Sequence, residues 1–463
     1  MSGQRPRTQY SSGAFTSFRV PGFRTLWWAG LFSFISVQMQ FLLRGLLAWD
    51  LTEREGALGL TYLCFGVSLL VATPLGGVAS DRLSKRNVLI MSQFVIAAAA
   101  AAMGFAVTTG VVQFWMLLVA AVAQGFAFGF FGPARIAISA ELVGREQLGN
   151  AITLSLLSMN GTRVFAPAVA GVLAGVATIG IGGAYLISAA CSAMALVYLL
   201  RLPRQATAEA VASGTATPAK PPGRQSTRAN PFAEIVEGVR YVAARPPLRR
   251  VIISSFFVIM FGFNYVAFYP ALVKGVFGLG DGWVGLISSA SALGAVVVSI
   301  PLAARADSRW AKAAMIGGGF GFGIGVVGVG LAGSFWVAFA IICAIGAATT
   351  IFQSLSSTLA MAMSDDGHQG RVQSLMQLSF AGFGIAALPL GALAEVIGLR
   401  PTIVVMGTVA TGSMVAYVLA EGGLDALRRP TGATELTDVA AAPRLAAADV
   451  GVDDLAPAPS AGN

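Results

Sequence analysis

The chain alternates long apolar runs with short breaks that carry charge, glycine or proline. Read run by run, candidate helices lie at Phe23 to Trp49, Leu58 to Ser80, Val88 to Val107, Phe114 to Phe131, Ala151 to Val176 and Gly182 to Leu200. After an interruption six more follow, at Val251 to Val273, Trp283 to Ala304, Ala313 to Leu331, Phe335 to Met363, Val372 to Ala394 and Thr402 to Ala420. An apolar helix of about 20 residues crosses a bilayer, and only helices or closed barrels satisfy their backbone groups there. The runs do not alternate with period two, which excludes a barrel. The pattern therefore predicts an all-α polytopic membrane protein of 12 transmembrane helices in two six-helix bundles.

The interruption, with its stretch "ATAEAVASGTATPAKPPGRQ", is a Pro/Ala/Ser/Thr/Gly-rich linker with no packing pattern. Next comes "PFAEIVEGVRYVAARPPLRR", where Phe232, Ile235, Val236, Val239 and Val242 recur at helical spacing. This predicts an amphipathic helix lying on one membrane face. Beyond Glu421 the chain is rich in Ala, Pro and Asp, a composition expected to stay disordered. The expected organisation is an N-terminal tail over 1–22, a bundle over 23–201, a linker over 202–247, a second bundle over 248–420 and a tail over 421–463. The basic N-terminal segment leads straight into a span-length run, so no cleavable signal peptide is expected.

Composition agrees with this reading. Of 463 residues 56% are hydrophobic and only 11% charged, where a soluble protein carries about a quarter. Lys and Arg are distributed unevenly. With the N-terminus placed in the cytoplasm, twenty-five of the thirty fall in cytoplasmic loops and tails, and only Arg54, Lys274 and Arg400 fall outside. Both termini are thus expected in the cytoplasm of a bacterial inner membrane. The net charge of +9 follows from topology, and no nucleic-acid partner is needed to explain it. Cys64, Cys191 and Cys343 lie far apart in apolar runs and His368 stands alone in a polar loop, so neither a metal site nor a disulfide framework is expected. No cofactor is implied, and the chain is not expected to be an enzyme.

Between the second and third runs stands "GGVASDRLSKRNVLI", with four charges in six positions. It resembles the G-x-x-x-D-R-x-G-R-R motif of the major facilitator superfamily, with Gly77, Asp81, Arg82, Lys85 and Arg86 matching and Ser84 in the glycine position. The stretches "FGPARIAISAELVGREQLGNAITLSLLSMNGTRVFAPAVAG" and "EGVRYVAARPPLRR" resemble the branch of enterobactin exporters and macrolide efflux proteins. The resemblance, over about Phe23 to Ala420, implies alternating access by two rocking bundles, with a central cavity lined by spans 1, 4, 5, 7, 10 and 11. It gives Asp81 and Arg82 a gating role. The antiporter signature of the fifth span is partly kept at Pro167 and Gly171, and Ala121 replaces the family's fourth-span arginine beside Gln124 and Gly125. The corresponding loop of the second half, "AARADSRWAK", keeps Asp307, Arg309 and Lys312.

Ionisable groups within spans are costly and therefore functional candidates. Arg163 is the deepest, and Arg44 shares one helical face with Gln40, Ser36 and Ser33. Asn264, Tyr265 and Tyr269 occupy the seventh span, and Gln353 and Gln377 the tenth and eleventh; all are expected to line the cavity. No Asp or Glu falls inside a predicted span, whereas a cationic substrate in a low-dielectric cavity needs an acidic partner. The expected substrate is therefore neutral or anionic, siderophore-like or drug-like. No phosphate-binding G-x-x-x-x-G-K-[ST] stretch is present, so the energy is expected from a proton gradient, with Asp50 and Glu395 as coupling candidates. The expected function is export by a monomeric antiporter embedded in the bilayer, of the kind that confers multidrug resistance. Uptake of a metabolite, flipping of a lysophospholipid, and a non-transporting sensor or scaffold remain open at this point.

Overall fold

A computed structural model describes residues 16–202, 231–303, 311–365 and 369–423. The linker proper, Asp307, Arg309, His368 and the C-terminal tail fall outside the described residues. The helices are α1 (Pro21–Thr52), α2 (Glu55–Arg82), α3 (Lys85–Thr108), α4 (Phe114–Gly175), α5 (Gly180–Leu200), α6 (Pro231–Ala243) and α7 (Pro246–Phe257). They continue as α8 (Asp281–Ala303), α9 (Ala311–Leu331), α10 (Phe335–Ala362), α11 (Gln369–Ile397) and α12 (Leu399–Ala420). Ten segments are long and apolar enough to span a membrane. The second arm of α4 and α11 complete the set, their polar N-terminal turns diluting an otherwise apolar helix.

Hydroxyls inside these helices return their hydrogen bonds to the carbonyl four residues back, as Ser68 does to Cys64, Ser289 to Gly285 and Thr350 to Gly346. No polar group is then left facing hydrocarbon at those positions. The expected fourth and fifth spans form one helical run broken at Gly144, whose φ of 74° and ψ of 171° are open to glycine without strain. Pro133 does not end the first arm, which continues to that break.

The seventh span departs most from expectation. After α7 the chain passes through a π-helical turn (Val258–Gly262), a 3-10 turn (Phe263–Val266) and a second π turn (Ala271–Val276). Pro270 supplies no N–H to a regular ladder, and Asn264 diverts its amide to the carbonyls of Met260 and Phe383. Gly262 lets this segment approach Phe322 of α9 and Ala410 of α12, where a Cβ would overlap the Phe322 ring.

Helices α1 to α5 pack on one another, as do α7 to α12, and the halves meet where α2 crosses α11 and α4 crosses α8. Both crossings are glycine-lined. A Cβ on Gly384 would stand 2.7 Å from the Cα of Gly66, and one on Gly285 would stand 2.7 Å from the Cα of Gly171. Such backbone approach is available only to the smallest residues. These crossings lie toward the end that carries Arg54, Lys274 and Glu395. Toward the other end Gly76 packs instead on Gly129 of its own half.

Candidate functional site

The polar face of α1 is buried inside the first half. Ser33 donates to Gln93 of α3 at 2.8 Å, and Gln93 donates to the carbonyl of Ser192 on α5 at 3.1 Å. Ser192 donates to Ser36 at 2.7 Å, Gln40 donates to Ser36 at 2.9 Å, and Gln124 of α4 donates to Gln40 at 2.9 Å. The network ties four helices through groups that are all 5% exposed or less. One turn further, Arg44 lies 3% exposed with its guanidinium 4.8 Å from the centre of the Phe65 ring. The neighbouring face of α1 meets the second half: the Phe41 ring lies 6.1 Å from that of Phe383, and Gly45 faces Pro270. Gln40 and Arg44, expected on a central cavity, are therefore placed within one bundle. The reason is that α1 is covered on both faces, and the apolar face is the one turned to the other half.

Arg163 lies differently. It sits on the second arm of α4, about 12 Å along the helix axis from the Gly171 crossing, and is exposed. On a helical projection Phe165, Val169, Val172 and Val176 form one exposed apolar stripe, and Thr162, Ala166 and Ala170 a buried one. Ala168, Gly171 and Gly175 face α8. Arg163 falls between the α8-facing and buried stripes, away from the apolar one.

On the irregular seventh span, Asn264, Tyr265 and Tyr269 are each 2% exposed or less, and the two tyrosine rings meet edge to face at 5.5 Å. Gln353 is half-buried beside Phe263, Phe322 and Thr349. The Gln377 side chain lies outside the described residues. At the glycine-crossed end Lys274 donates to Asp50 of the first half and to Asp281 of its own half, both at 2.5 Å. Arg54 forms a two-pronged pair with Glu395 at 3.0 Å, and the Gly56 N–H also donates to that carboxylate, at 3.1 Å. Both coupling candidates thus stand in ion pairs that join the halves.

At the opposite end, the side chains of Asp81 and Arg82 lie outside the described residues. Gly77 is open on its Cβ side. Lys85 pairs with Glu141 of α4, and Arg86 donates to the carbonyls of Leu202 and Leu200 at 2.8 and 2.7 Å, closing the end of α5. Pro167 is half-buried, one turn from Gly171. Arg135 is a residue that reading of the sequence missed. The Gly132-Pro133 pair suggests a loop, yet the helix runs on and lays the guanidinium 4.8 Å from the Phe34 ring centre, beside Gly30 of α1. The signal was the absence of any further breaker before Gly144.

The model of the Major Facilitator Superfamily matches residues 26–381 of this sequence. The chain belongs to the Major Facilitator Superfamily. As a member of that family it is a multi-pass membrane transporter, and its motif between α2 and α3 is the superfamily's own. It is 25% identical over 383 residues to the enterobactin exporter EntS of Salmonella typhi, covering 81% of this chain and 86% of that one. The EntS of Escherichia coli O1:K1 / APEC is 26% identical over 292 residues, 61% of each chain. Among solved structures, a bacterial homologue of the human lysosomal transporter Spinster, inward-facing and unoccupied, superposes with a TM-score of 0.67 at 15% identity, covering 92% of this chain and all of that one. The nucleoside transporter NupG superposes with a TM-score of 0.65 at 14% identity, covering 87% of this chain and 99% of that one. These likenesses bear on fold.

Proposed function

We propose that this facilitator-family protein exports a neutral or anionic small molecule, siderophore-like in its acidic or catecholic groups, across the inner membrane. Its motif end faces the cytoplasm, which makes the end closed by the Arg54 and Lys274 pairs the periplasmic one. The observation that carries this reading is Arg163, a cation at mid-span on the second arm of α4, on the side turned away from that arm's exposed apolar stripe. An oxyanion of the cargo binds there by charge-assisted hydrogen bonds, which are strong in a site of low dielectric. Arg135 lies nearer the cytoplasmic mouth and draws anions inward. Gln353 and, when the halves rock, Asn264, Tyr265 and Tyr269 of the seventh span add uncharged contacts. The likeness to proteins named enterobactin exporters supports the outward direction. Asp50 and Glu395 couple the cycle to the proton gradient, because a proton on either carboxylate cancels an attraction that keeps the periplasmic end shut. Asp81 and Arg82 act at the opposite gate.

Flux into energised inverted vesicles tests this, with an anionic siderophore, a neutral macrolide and a cationic dye, each with and without protonophore. Protonophore-sensitive uptake of the first or second is expected, and Arg163→Ala, inserted at wild-type level, lowers uptake of the anion by about tenfold or more. Uptake confined to the cationic dye, or undiminished flux in Arg163→Ala, would refute the assignment.

A further inference from the structure

We propose that Arg44 holds a small inorganic anion, of the size and charge of chloride, inside the first six-helix half, as a resident counter-ion distinct from the cargo. Arg44 is 3% exposed, and its Nη1 is buried with no hydrogen-bond acceptor. A guanidinium taken out of water without an anionic partner is strongly unfavourable. Among the described residues no carboxylate pairs with it, and the titratable side chains close enough to act on its charge are Tyr185, Tyr62 and Cys64. The Tyr62 hydroxyl donates its proton to the Phe41 carbonyl at 3.1 Å, so it has none to give a ligand. What remains near the charge is a second hydroxyl and a thiol, both able to donate. The Phe65 ring lies over the guanidinium and leaves its N–H edges to a ligand. A buried guanidinium N–H with no hydrogen-bond partner and no paired carboxylate, beside groups able to donate, makes the chemistry of an anion site.

Size and position separate this anion from the cargo. Leu43, Leu46, Leu58 and Leu117, none with any exposed surface, fill the same core as Tyr62 and Tyr185, so an organic acid would have to displace packed side chains there. The polar face of α1 also points into its own bundle, whereas cargo moves between bundles along the face of Arg163. The amide and hydroxyl chain from Gln124 to Ser33 holds α1, α3, α4 and α5 around the site. An ion there would be a fixed part of the first half.

Thermal unfolding of the full-length purified protein tests this without any transport readout, so the result is independent of what is exported. Sodium chloride, bromide and gluconate are compared at equal ionic strength. The midpoint of the wild-type protein is expected to rise saturably by a few degrees in chloride and bromide over gluconate. Arg44→Met is expected to lose that rise and, in gluconate, to melt no lower than wild type, since it removes an unpaired buried charge. Tyr185→Phe, which keeps the ring and loses one donor, is expected to raise the half-saturating chloride concentration several-fold. Equal midpoints in chloride and gluconate for the wild type, a rise retained in Arg44→Met, or failure of Arg44→Met to fold in gluconate would each overturn the proposal.

Discussion

The two ends of the molecule use charge in opposite ways. At the glycine-crossed end Arg54 to Glu395 and Lys274 to Asp50 each join one half to the other. At the motif end the pairs among the described residues stay within a half: Lys85 with Glu141, Arg250 and Lys312 with Glu421, and Arg245 with Asp365. Alternating access needs the first kind to break in every cycle and the second to survive it. On the proposed reading the Lys274 end is the gate that is shut here, and the intra-half pairs are the fittings that keep each bundle rigid while it rocks.

The sharpest way to break this comparison is to prevent closure. Gly171→Val puts side-chain atoms into the backbone of Gly285, where even a Cβ does not fit. Overpacking of this kind costs about 3 kcal/mol, which shifts the closed-to-open ratio by more than a hundredfold. Transport is expected to fall to near background, and cysteines placed near Asp281 become accessible to an impermeant thiol reagent from the periplasmic side. Unchanged labelling and flux would mean that the crossing is not a gate.

The next effect belongs to the other end. Glu421 accepts from Arg250 at 2.7 Å and from Lys312 at 2.6 Å, with both carboxylate and ammonium largely buried. Burial alone would raise its carboxyl, but the hydrogen bonds and charges of Lys312 and Arg250 outweigh it and hold the group below the ordinary glutamate range. A carboxyl depressed in the folded state stabilises above its unfolded value, and that contribution is lost as pH falls through the folded one. Glu421→Gln is expected to remove about 1.5–3 kcal/mol at neutral pH and to flatten the acid limb of thermal stability, measured by unfolding midpoints from pH 7 down to pH 3. The ratio of inward to outward states, read by thiol labelling, should not move. A shift in that ratio would place Glu421 among the gating pairs.

Much of the fold was legible because a bilayer demands so little of a sequence: length and apolarity suffice. Thus α1 runs from Pro21 to Thr52 where apolarity alone marks Phe23 to Trp49. The losses have physical causes. The π and 3-10 turns of the seventh span depend on how Gly262 meets Phe322 and Ala410, contacts remote in sequence. The orientation of α1 was not legible, since a helix buried on two faces looks alike on both, and so the contacts of Gln40 and Arg44 with their own bundle were not foreseen. Arg163 stands out in the sequence because a charge inside an apolar run is visible by itself. Arg135 was not, because a Gly-Pro pair has the same appearance whether it ends a helix or only bends it.

The smallest effects separate the two pairs of the shut gate. Lys274 is the better protected, held between carboxylates of both halves with 22% of its side chain exposed. Asp281 keeps it in place when Asp50 leaves, so the pair re-forms without a search. Asp50→Asn is expected to loosen the gate by about 1 kcal/mol, seen as roughly fivefold faster periplasmic labelling. The Arg54 side chain is 69% exposed, and exposed pairs are screened within about 10 Å at 0.1 M salt. Glu395→Gln should then change labelling by less than about fivefold at low salt and by nothing measurable at 1 M. The Asp50→Asn effect should persist there. If salt erased both effects equally, the partial burial of Lys274 would carry no mechanical meaning, and the glycine crossings alone would hold the end shut.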